Sequence, residues 1–390
     1  MSRVSTAYAA LRGARRWTER LHPWIYRSDL IRIPSGGPGP VGVVDERGNF
    51  IGNALWSPAS AIALRMLTRN EVAIDAAFWQ DRIARALAYR TALAPDTDAC
   101  RLVHGEADGL PSLIVDRYGE HLVVQLLSAG LEACRAAILQ ALLELVQPAG
   151  ILARNEASVR EHEQLPRITE LLHGTVPERL EVREALVRYE AAPWTGQKTG
   201  AFLDQRENRV RAGQLARGRA LDVFSYHGSF ALHLATGATD VLAVDSSADA
   251  LARASENFRR NGFTHVRTLE ANAFDLLRAE ESAGHEWDVI VLDPPAFAKR
   301  RDAVARALGG YKEINLRAMR LLAPGGHLMT FSCSYHVDVT SFTEMLEEAA
   351  ADAGRRVRWI ESRGQSADHP RIVQIPETSY LKGAILQAVD

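Results

Sequence analysis

From about residue 219 onward, short continuous apolar runs alternate with longer segments whose apolar residues recur at helical spacing. Continuous apolar runs are typical of strands covered by helices on both faces, so this alternation predicts a parallel sheet in a doubly wound α/β domain. Helices are predicted at 248–261 and at 310–322, the second ended by Pro324-Gly325-Gly326. The strands are predicted at 220–224, 241–245, 266–270, 289–292, 328–331, 357–360 and 384–389.

The first 192 residues have a different pattern. Residues 1–72 contain short apolar runs broken by turn residues such as PSGGPGP (34–40), which predicts a small β-barrel or an open β-sheet. Residues 73–192 combine predicted helices at 76–92 and 131–146 with a strand pair near 113–115 and 122–127, an α+β arrangement. Three domains are therefore predicted, at 1–72, 73–192 and 193–390, the last of them Rossmann-like.

Composition narrows the class of protein. A chain of 390 residues suits two or three domains. It has no apolar run of about 18 residues, and its N-terminus lacks the apolar core of a secretory signal, so neither a membrane helix nor secretion is expected. Three cysteines are too few and odd in number for a disulfide framework, which favours the reducing cytoplasm.

Charge is distributed unevenly along the chain. Residues 1–70 carry ten arginines, no lysine and four acidic residues, a net charge of +6, and the total of −2 leaves −8 for the remainder. A basic module joined to an acidic one is typical of proteins whose first part contacts a polyanion. A solvated arginine-rich surface explains the same numbers equally well, and charge alone leaves both interpretations open.

Ligands of doubly wound sheets bind beyond the carboxyl ends of the strands, so the residues after each predicted strand are candidate site residues. The first strand and its turn are LDVFSYHGS (221–229), with Asp222 inside the apolar run and Gly228 in the turn. A glycine there lets the backbone approach a ligand, while the missing glycine trio disfavours a dinucleotide. A buried Asp222 that caps the next helix is the competing interpretation. The candidates from this turn are Asp222, Phe224, Ser225, Gly228 and Ser229.

The next three strands also end in polar groups. Asp245 ends the second strand, where a carboxylate can accept hydrogen bonds from both hydroxyls of a ribose. Asn272 follows the third strand and can hydrogen-bond an adenine edge. Asp293 follows the fourth, and the two prolines after it fix an extended turn that holds Asp293 and Phe297 rigidly. Ser246, Ala273 and Pro294 complete the candidates from these turns.

Cys333 follows the fifth predicted strand, between two serines. Most free cysteines are buried and act as small apolar residues, an interpretation that suits Cys134 on the apolar face of its helix. Cys100 lies near a polar linker and has no catalytic neighbours in sequence. The strand-end position makes Cys333 the cysteine available as a nucleophile.

With these residues the chain resembles the bacterial PUA-domain 23S ribosomal RNA cytosine-C5 methyltransferases, which depend on S-adenosylmethionine. The resemblance covers essentially the whole chain and implies a PUA module, an α+β middle domain and a class I methyltransferase domain. It also implies S-adenosylmethionine as cofactor and ribosomal RNA as partner. The matching segments are LHPWIY (21–26), HGEADGLP (104–111), VDRYG (115–119), QKTGAFLDQRENR (197–209), DPPAF (293–297), FSCS (331–334), ADHP (367–370) and YLKG (380–383).

The 197–209 segment gains its interpretation from the resemblance. By charge alone, the helix predicted to begin near 204 is a solvated face. The family implies that the segment closes over the methionine end of the cofactor, with Thr199, Phe202, Asp204 and Arg206 in contact. His227 departs from the family pattern, in which a threonine is expected, so no role is assigned to this side chain.

The resemblance also implies a mechanism. Cytosine C5 becomes nucleophilic after a thiolate attacks C6, and Cys333 is the expected nucleophile. Asp293 and Pro294 would hold the base edge, and Phe297 would stack on the target base. The base that removes the C5 proton is not assigned. A second cysteine, present in other cytosine-C5 RNA methyltransferases, is replaced here by Pro294 and Pro295.

Other functions stay open at this point. DPPAF also resembles the motif of enzymes that methylate amino or ring nitrogens without a covalent step. A noncatalytic RNA-binding protein on a methyltransferase fold is a second alternative, although the intact set of strand-end residues disfavours it. A small-molecule acceptor would leave the basic N-terminal module unexplained. No metal site and no membrane partner are predicted, and a homodimer is kept as one option for the oligomeric state.

Overall fold

The computed structural model describes residues 8–12, 15–93, 95–298 and 300–390. The chain forms two compact units. The first extends to Val182 and includes Ala191–Leu203 and Ala367–Thr378, and the second consists of Arg183–Glu190, Asp204–Ser366 and Ser379–Asp390. In the described residues, no helix is long and apolar enough to cross a membrane.

The first unit opens with a six-stranded sheet of order β2-β6-β5-β4-β1-β3. Its neighbours are antiparallel except β1 and β4, which are parallel. Short apolar strands pack one face on a core that includes Leu11, Val43, Trp56 and Leu64, as the pattern of residues 1–72 predicts. The elements are β1 (Tyr8–Leu11), α1 (Arg15–Thr18), β2 (Trp24–Tyr26), β3 (Leu30–Arg32), β4 (Gly39–Val44), β5 (Phe50–Trp56) and β6 (Ile62–Thr68).

A second, five-stranded sheet of order β11-β10-β9-β8-β7 follows in the same unit. Trp79 and Ile83 of α2 and Ile138 and Leu142 of α4 belong to its apolar core. The helix predicted at 131–146 is two helices, because Cys134 leaves helical geometry and becomes the N-cap of the second. The elements are α2 (Ala76–Leu93), β7 (Ala99–His104), β8 (Leu113–Tyr118), β9 (His121–Leu126), α3 (Ala129–Glu132), α4 (Arg135–Val146), β10 (Gly150–Asn155), α5 (Val159–His162) and β11 (Ile168–Gly174).

A buried ionic network accounts for several of the family-like motifs of this unit. Arg101 donates to both carboxylate oxygens of Asp116, at 2.8 and 2.9 Å. Asp368 accepts from the Arg101 backbone N–H at 2.9 Å, and Arg90 pairs with Asp108 and donates to the Asp368 carbonyl. Paired buried charges of this kind fix local structure, so HGEADGLP, VDRYG and ADHP meet here for structural reasons.

The second unit is built on a seven-stranded sheet of order β16-β15-β14-β17-β18-β20-β19, and a separate two-stranded sheet pairs β12 with β13. Strands β14 to β18 are mutually parallel, as predicted. The elements are β12 (Leu180–Glu184), β13 (Val187–Ala191), α6 (Arg206–Leu215), β14 (Arg219–Val223), α7 (Ser229–Leu234), β15 (Asp240–Asp245), α8 (Ala248–Arg260), β16 (Val266–Glu270), α9 (Ala273–Ser282), β17 (Trp287–Leu292), α10 (Val304–Arg320), β18 (Leu322–Ser332), α11 (Val339–Ala353), β19 (Val357–Arg363) and β20 (Lys382–Ala388).

Two predictions for this sheet are wrong in detail. The last strand, β20, runs antiparallel between β18 and β19 instead of extending a parallel sheet. The helix predicted at 310–322 begins at Val304 and ends at Arg320. Pro324-Gly325-Gly326 therefore lies inside β18, where the pairing with β17 shifts register and Gly325 adopts φ +74°. The doubly wound α/β fold itself is confirmed.

Candidate active site

The turn after β14 has an unusual backbone. Phe224 and Tyr226 adopt positive φ angles of +67° and +52°, and Gly228 adopts +81°. Non-glycine residues with positive φ are strained and gather at functional sites. A Cβ on Gly228 would lie 2.7 Å from Cζ of Phe258, so packing against α8, more than access for a ligand, explains this glycine.

Asp222 organises this turn from inside the sheet. Its carboxylate is fully buried, and Oδ2 accepts from Ser225 Oγ at 2.8 Å and from the Ala231 N–H at 2.9 Å. The bond from the Ala231 N–H confirms the competing interpretation, in which Asp222 accepts from a free backbone N–H in the first turn of α7. Among the described residues Oδ1 has no partner. Burial raises the pKa of Asp222 to about 7, and the charges of Asp293 and Asp245 add to the increase.

His227 occupies the position where the resemblance leads one to expect threonine. Its ring is buried, stacks on Tyr189 at 5.6 Å, and neither ring nitrogen has a hydrogen-bond partner in the described part of the chain. Burial, with repulsion from Arg253 and Arg209, lowers the pKa of His227 to about 3. The imidazole is therefore neutral and packs as an apolar group.

A cleft opens at the carboxyl ends of β15 and β16. Asp245 is held at its edge, because its carboxylate accepts from the N–H groups of Tyr226 at 2.8 Å and Ser247 at 2.9 Å. A fixed carboxylate between two phenylalanine rings fits the ribose and base of an adenosine. Five of the predicted cofactor-binding residues are among those that line it. The lining is Phe224, Val244, Asp245, Ser246, Ala271, Asn272, Ala273 and Phe274.

Asn272 has a structural task in this cleft. Its Oδ1 accepts from the N–H groups of Phe274 at 2.9 Å and Asp275 at 3.4 Å, which caps α9. The capping bonds use the amide oxygen, so a contact with a base edge would come from Nδ2. The predicted contact with adenine remains a prediction.

The 197–209 segment divides between the two units. In the first unit, the Thr199 hydroxyl is buried, donates to Asp116 at 2.6 Å and lies 3.0 Å from the Tyr118 hydroxyl. Phe202 lies 4.7 Å from Lys198 Nζ, over the ring face. A role toward the cofactor for Thr199 or Phe202 stays a prediction, and the bonds of Thr199 show that its hydroxyl also has a structural role.

In the second unit, three of the four charged residues between 204 and 209 are buried, and Glu207 is exposed. Asp204, Arg206 and Arg209 are 3%, 4% and 1% exposed, so the charge-based interpretation as a solvated face is wrong. Asp204 accepts from the Tyr380 hydroxyl at 2.8 Å, and Arg209 pairs with buried Glu184 at 2.6 Å. These contacts hold α6 and the residues just before it in place, so the segment can present fixed polar groups.

Gln205, which sequence reasoning did not select, contacts a predicted catalytic residue. Its Nε2 donates to Asp293 Oδ1 at 2.8 Å, and its own oxygen accepts from Asn208 Nδ2 at 2.6 Å. Arg363 in turn donates to Asn208 Oδ1 at 2.9 Å. The only available signal was its place between Asp204 and Arg206 in the 197–209 segment. This chain of bonds fixes how the Asp293 carboxyl is oriented.

The turns after β17 and β18 meet at Cys333. The half-buried thiol lies 3.9 Å from the Pro294 carbonyl oxygen, which accepts from Sγ. Ser334 Oγ accepts from the Ala298 N–H at 3.2 Å and lies 3.0 Å from the Tyr311 hydroxyl, which ties the two turns together. Cys333 and the Asp293-Pro294 turn thus lie together, as the strand-end rule predicts.

Phe297 is part of an aromatic cluster. Its half-buried ring lies 4.6 Å from Tyr311, 6.1 Å from Phe274 and 6.3 Å from Phe224. Part of the Phe297 ring is therefore already packed against aromatic side chains of the protein. The cluster links the turn after β17 to the wall of the cleft. Stacking of Phe297 on a target base remains a prediction.

Together these groups provide three carboxyls and one accessible thiol at neighbouring strand ends. The buried, unpartnered Asp222 oxygen and the carboxylate of Asp245 favour a ligand that carries positive charge and hydrogen-bond donors. The thiol beside a rigid turn can act as a nucleophile.

Comparison with known proteins identifies two families in this chain. The S-adenosylmethionine-dependent methyltransferase family matches residues 69–382, and a PUA-like domain family matches residues 11–69. The chain is 41% identical over 384 residues to Ribosomal RNA large subunit methyltransferase I of Shewanella amazonensis, covering 96% of this chain and 97% of the relative. It is 40% identical over 379 residues to the protein of the same name from Klebsiella pneumoniae, covering 93% and 94%.

Solved structures share the fold. An S-adenosylmethionine-dependent methyltransferase from Streptococcus mutans superposes with a TM-score of 0.82 at 18% identity, covering 98% of this chain and all of that one. A methyltransferase solved in complex with SAH gives a TM-score of 0.83 at 19% identity, covering 98% and 99%.

Proposed function

The chain belongs to the S-adenosylmethionine-dependent methyltransferases, and we propose that it methylates C5 of a cytosine in 23S ribosomal RNA. The observation that carries the proposal is the Cys333 thiol, 3.9 Å from the Pro294 carbonyl in the turn that Asp293 begins. Relatives about 40% identical over nearly their whole length are named as methyltransferases of large-subunit ribosomal RNA, which supports the class of substrate.

The residues of the second unit fit the cofactor. Asp245 would accept from the ribose hydroxyls, and the unpartnered Asp222 oxygen would face a positively charged ligand. When bound, S-adenosylmethionine supplies an electrophilic methyl group. The residues proposed to hold it are Asp204, Arg206, Asp222, Phe224, Ser225, Gly228, Ser229, Asp245, Ser246, Asn272, Ala273 and Asp293.

The proposed reaction begins with the Cys333 thiolate, which forms a bond from Sγ to cytosine C6. The electron pair of the C5–C6 double bond then makes C5 nucleophilic, and C5 would take the methyl group as its bond to the sulfonium sulfur breaks, with SAH as the leaving group. Loss of the C5 proton to a base and cleavage of the Sγ–C6 bond restore the aromatic ring and the thiolate. Asp293, oriented by Gln205, holds the N3–N4 edge of the base.

The basic N-terminal module supplies RNA affinity in this proposal. Its net charge of +6 over residues 1–70 favours phosphate contacts. The target nucleotide must leave its helix to reach Cys333. We place the reaction in the cytoplasm, in keeping with three free cysteines, and the domain division at 72 and 192 and a homodimer remain predictions.

A trapping experiment tests the covalent step. RNA that contains 5-fluorocytosine should form a stable adduct with the wild-type enzyme, because fluorine at C5 cannot leave as a proton. Cys333→Ala should form no adduct and no 5-methylcytidine, whereas Cys134→Ala, which alters a buried cysteine at the N-cap of α4, should behave as wild type. Methylation retained by Cys333→Ala would contradict the C5 mechanism.

One alternative function has a specific observation in its favour. The Asp293-Pro294 turn resembles that of enzymes that methylate nitrogen, which need no thiol. Retained activity of Cys333→Ala, with an N-methylated nucleoside found by mass spectrometry, would establish it. Failure to bind S-adenosylmethionine in calorimetry would instead favour a noncatalytic RNA-binding protein.

A further inference from the structure

Lys382 is a buried lysine that the proposed mechanism does not use. It opens β20 and is 7% exposed, and its Nζ donates to the carbonyl oxygens of Ser334 at 2.7 Å and Tyr380 at 2.9 Å. Within the described residues, no carboxylate lies within salt-bridge distance of it. An ammonium group is costly to bury with neutral partners only, so this position needs a nearby negative charge.

The residues that Lys382 contacts flank Cys333. Lys382 is the cross-strand partner of Ser332 in the antiparallel pair of β18 and β20. Its Nζ bonds the carbonyl of Ser334, one residue past the cysteine. Lys382 therefore holds the backbone on both sides of Cys333, while the thiol faces the Pro294 carbonyl.

Three other titratable groups lie near this pair or act on it. Asp338 also acts on Lys382, but it is exposed at the N-cap of α11, where its Oδ1 accepts from the Ser341 N–H at 2.7 Å and water screens it. The Tyr311 hydroxyl lies 3.0 Å from Ser334 Oγ, one residue past Cys333, and burial raises the pKa of that phenol, so it is neutral. Asp293 begins the turn whose Pro294 carbonyl accepts from the thiol, and a negative charge there would act against a thiolate.

We propose that Lys382 is a positioning residue. It holds the backbone of residues 332–334 in place and stabilises the Cys333 thiolate through its ammonium charge. The inference rests on the proposed function, because it takes Cys333 as the nucleophile. An ordinary thiol, with a pKa near 8.5, is only a few per cent thiolate at pH 7, so a positive charge beside it directly raises the amount of nucleophile.

The state of Lys382 at working pH agrees with this role. Burial lowers the pKa of Lys382 to about 8, and the charges of Cys333 and Asp338 act against that decrease. At pH 7 about nine in ten of these side chains are therefore ammonium groups. Above about pH 8 the charge is lost, so its effect on Cys333 disappears there.

The test measures alkylation of Cys333 by iodoacetamide between pH 5.5 and 10, read at peptide level by mass spectrometry. We expect a midpoint below 8.5 in the wild type and a rise of about one pH unit in Lys382→Met, a roughly tenfold slower reaction at pH 7. Lys382→Arg should keep the low midpoint. Lys312→Met, which removes a lysine paired with Glu348 and Asp352, is the matched control and should match the wild type.

Cys134 gives an internal reference, because burial raises its pKa to about 12 and it should not react in this range. Circular dichroism and cofactor binding establish that each variant is folded, and Lys382→Gln replaces Lys382→Met if the latter is not. A wild-type midpoint at or above 8.5, or an unchanged profile in a folded Lys382→Met or Lys382→Gln, would overturn the inference.

The two proposals fail separately. If Cys333→Ala retains methylation, the C5 mechanism fails while the alkylation profile of Cys333 still stands. If a folded Lys382→Met keeps the wild-type alkylation profile, the inference about Lys382 fails, while the C5 mechanism tested by Cys333→Ala still stands.

Discussion

Replacing Asp222 with asparagine should remove a pH dependence from cofactor binding. The wild-type carboxyl is fully buried, and one oxygen has no partner in the described residues. Its pKa is raised from 3.8 to about 7, chiefly by burial. At about 1.4 kcal/mol per pKa unit, the charged form costs about 4 kcal/mol more here than in water.

The positive charge of S-adenosylmethionine should favour the ionised carboxylate and lower its pKa in the complex. With a free-state pKa of about 7, Asp222 is mostly protonated at pH 6 and mostly ionised at pH 8. Binding at pH 6 must release that proton, so the Kd should fall about tenfold between pH 6 and pH 8. SAH has no sulfonium charge and should show a smaller change.

Isothermal calorimetry at several pH values, in buffers of different ionisation enthalpy, measures both the Kd and the proton released. Asp222→Asn keeps the shape and the acceptor for the Ala231 N–H, and should bind with a flat pH profile. Asp275→Asn, which removes an exposed carboxylate of α9, should keep the wild-type slope. An equal slope in Asp222→Asn, or no proton release in the wild type, would refute the reasoning.

Three further outcomes follow from buried contacts. Gln205→Ala should lower kcat for RNA methylation about tenfold with cofactor Kd within about twofold, because the Asp293 carboxyl loses its orientation. Thr199→Val removes two buried hydrogen bonds and should lower the free energy of unfolding by about 1–3 kcal/mol in urea. Gly228→Ala, at φ +81° and 2.7 Å from an aromatic carbon, should lower Tm and weaken cofactor binding together.

The raised pKa of Asp222 should also make the free energy of unfolding of the cofactor-free protein depend on pH. An acid whose folded pKa exceeds its unfolded value binds a proton in the folded state that the unfolded state has released. The free energy of unfolding should therefore fall as pH rises from about 4 to about 7, and Asp222→Asn should lack this component. Urea titrations at pH 5 and pH 7 measure the difference.

The sequence was sufficient for the central strands and the strand-end groups, for a simple reason. Strands such as β14 and β17 are covered on both faces, so continuous apolar runs mark them, and parallel strands bring Asp222, Asp245 and Asp293 to one edge. The direction of β20 was not predictable, because an apolar run marks a buried strand but not the direction in which it pairs. Before β20 the chain also passes through Ala367–Thr378 of the first unit. No local sequence pattern indicates that the chain leaves the second unit and returns to it.

Residues that support the site were missed because their partners are distant in sequence. Gln205 meets Asp293 across 88 positions, and Lys382 meets Ser334 across 48. Glutamine and lysine are common surface residues, so the sequence gives no sign of these roles. Only the hydrogen bonds in the structure show that Gln205 orients Asp293 and that Lys382 holds Ser334.

Helix α6 shows the limit of arguments from charge. Its residues from Arg206 to Arg209 are polar enough to indicate a solvated face. Arg209 is nevertheless buried and forms an ion pair with Glu184, which also contacts His233 at 3.0 Å. Glu184 lies 25 residues earlier, and the guanidinium beside it lowers the pKa of that carboxyl. A buried ion pair and a solvated charge have the same sequence signature until the partner is known. The polar residues of a methyltransferase domain therefore become assignable as structural or catalytic only through their contacts, and it is by its contacts that Lys382 differs from the surface lysine Lys312.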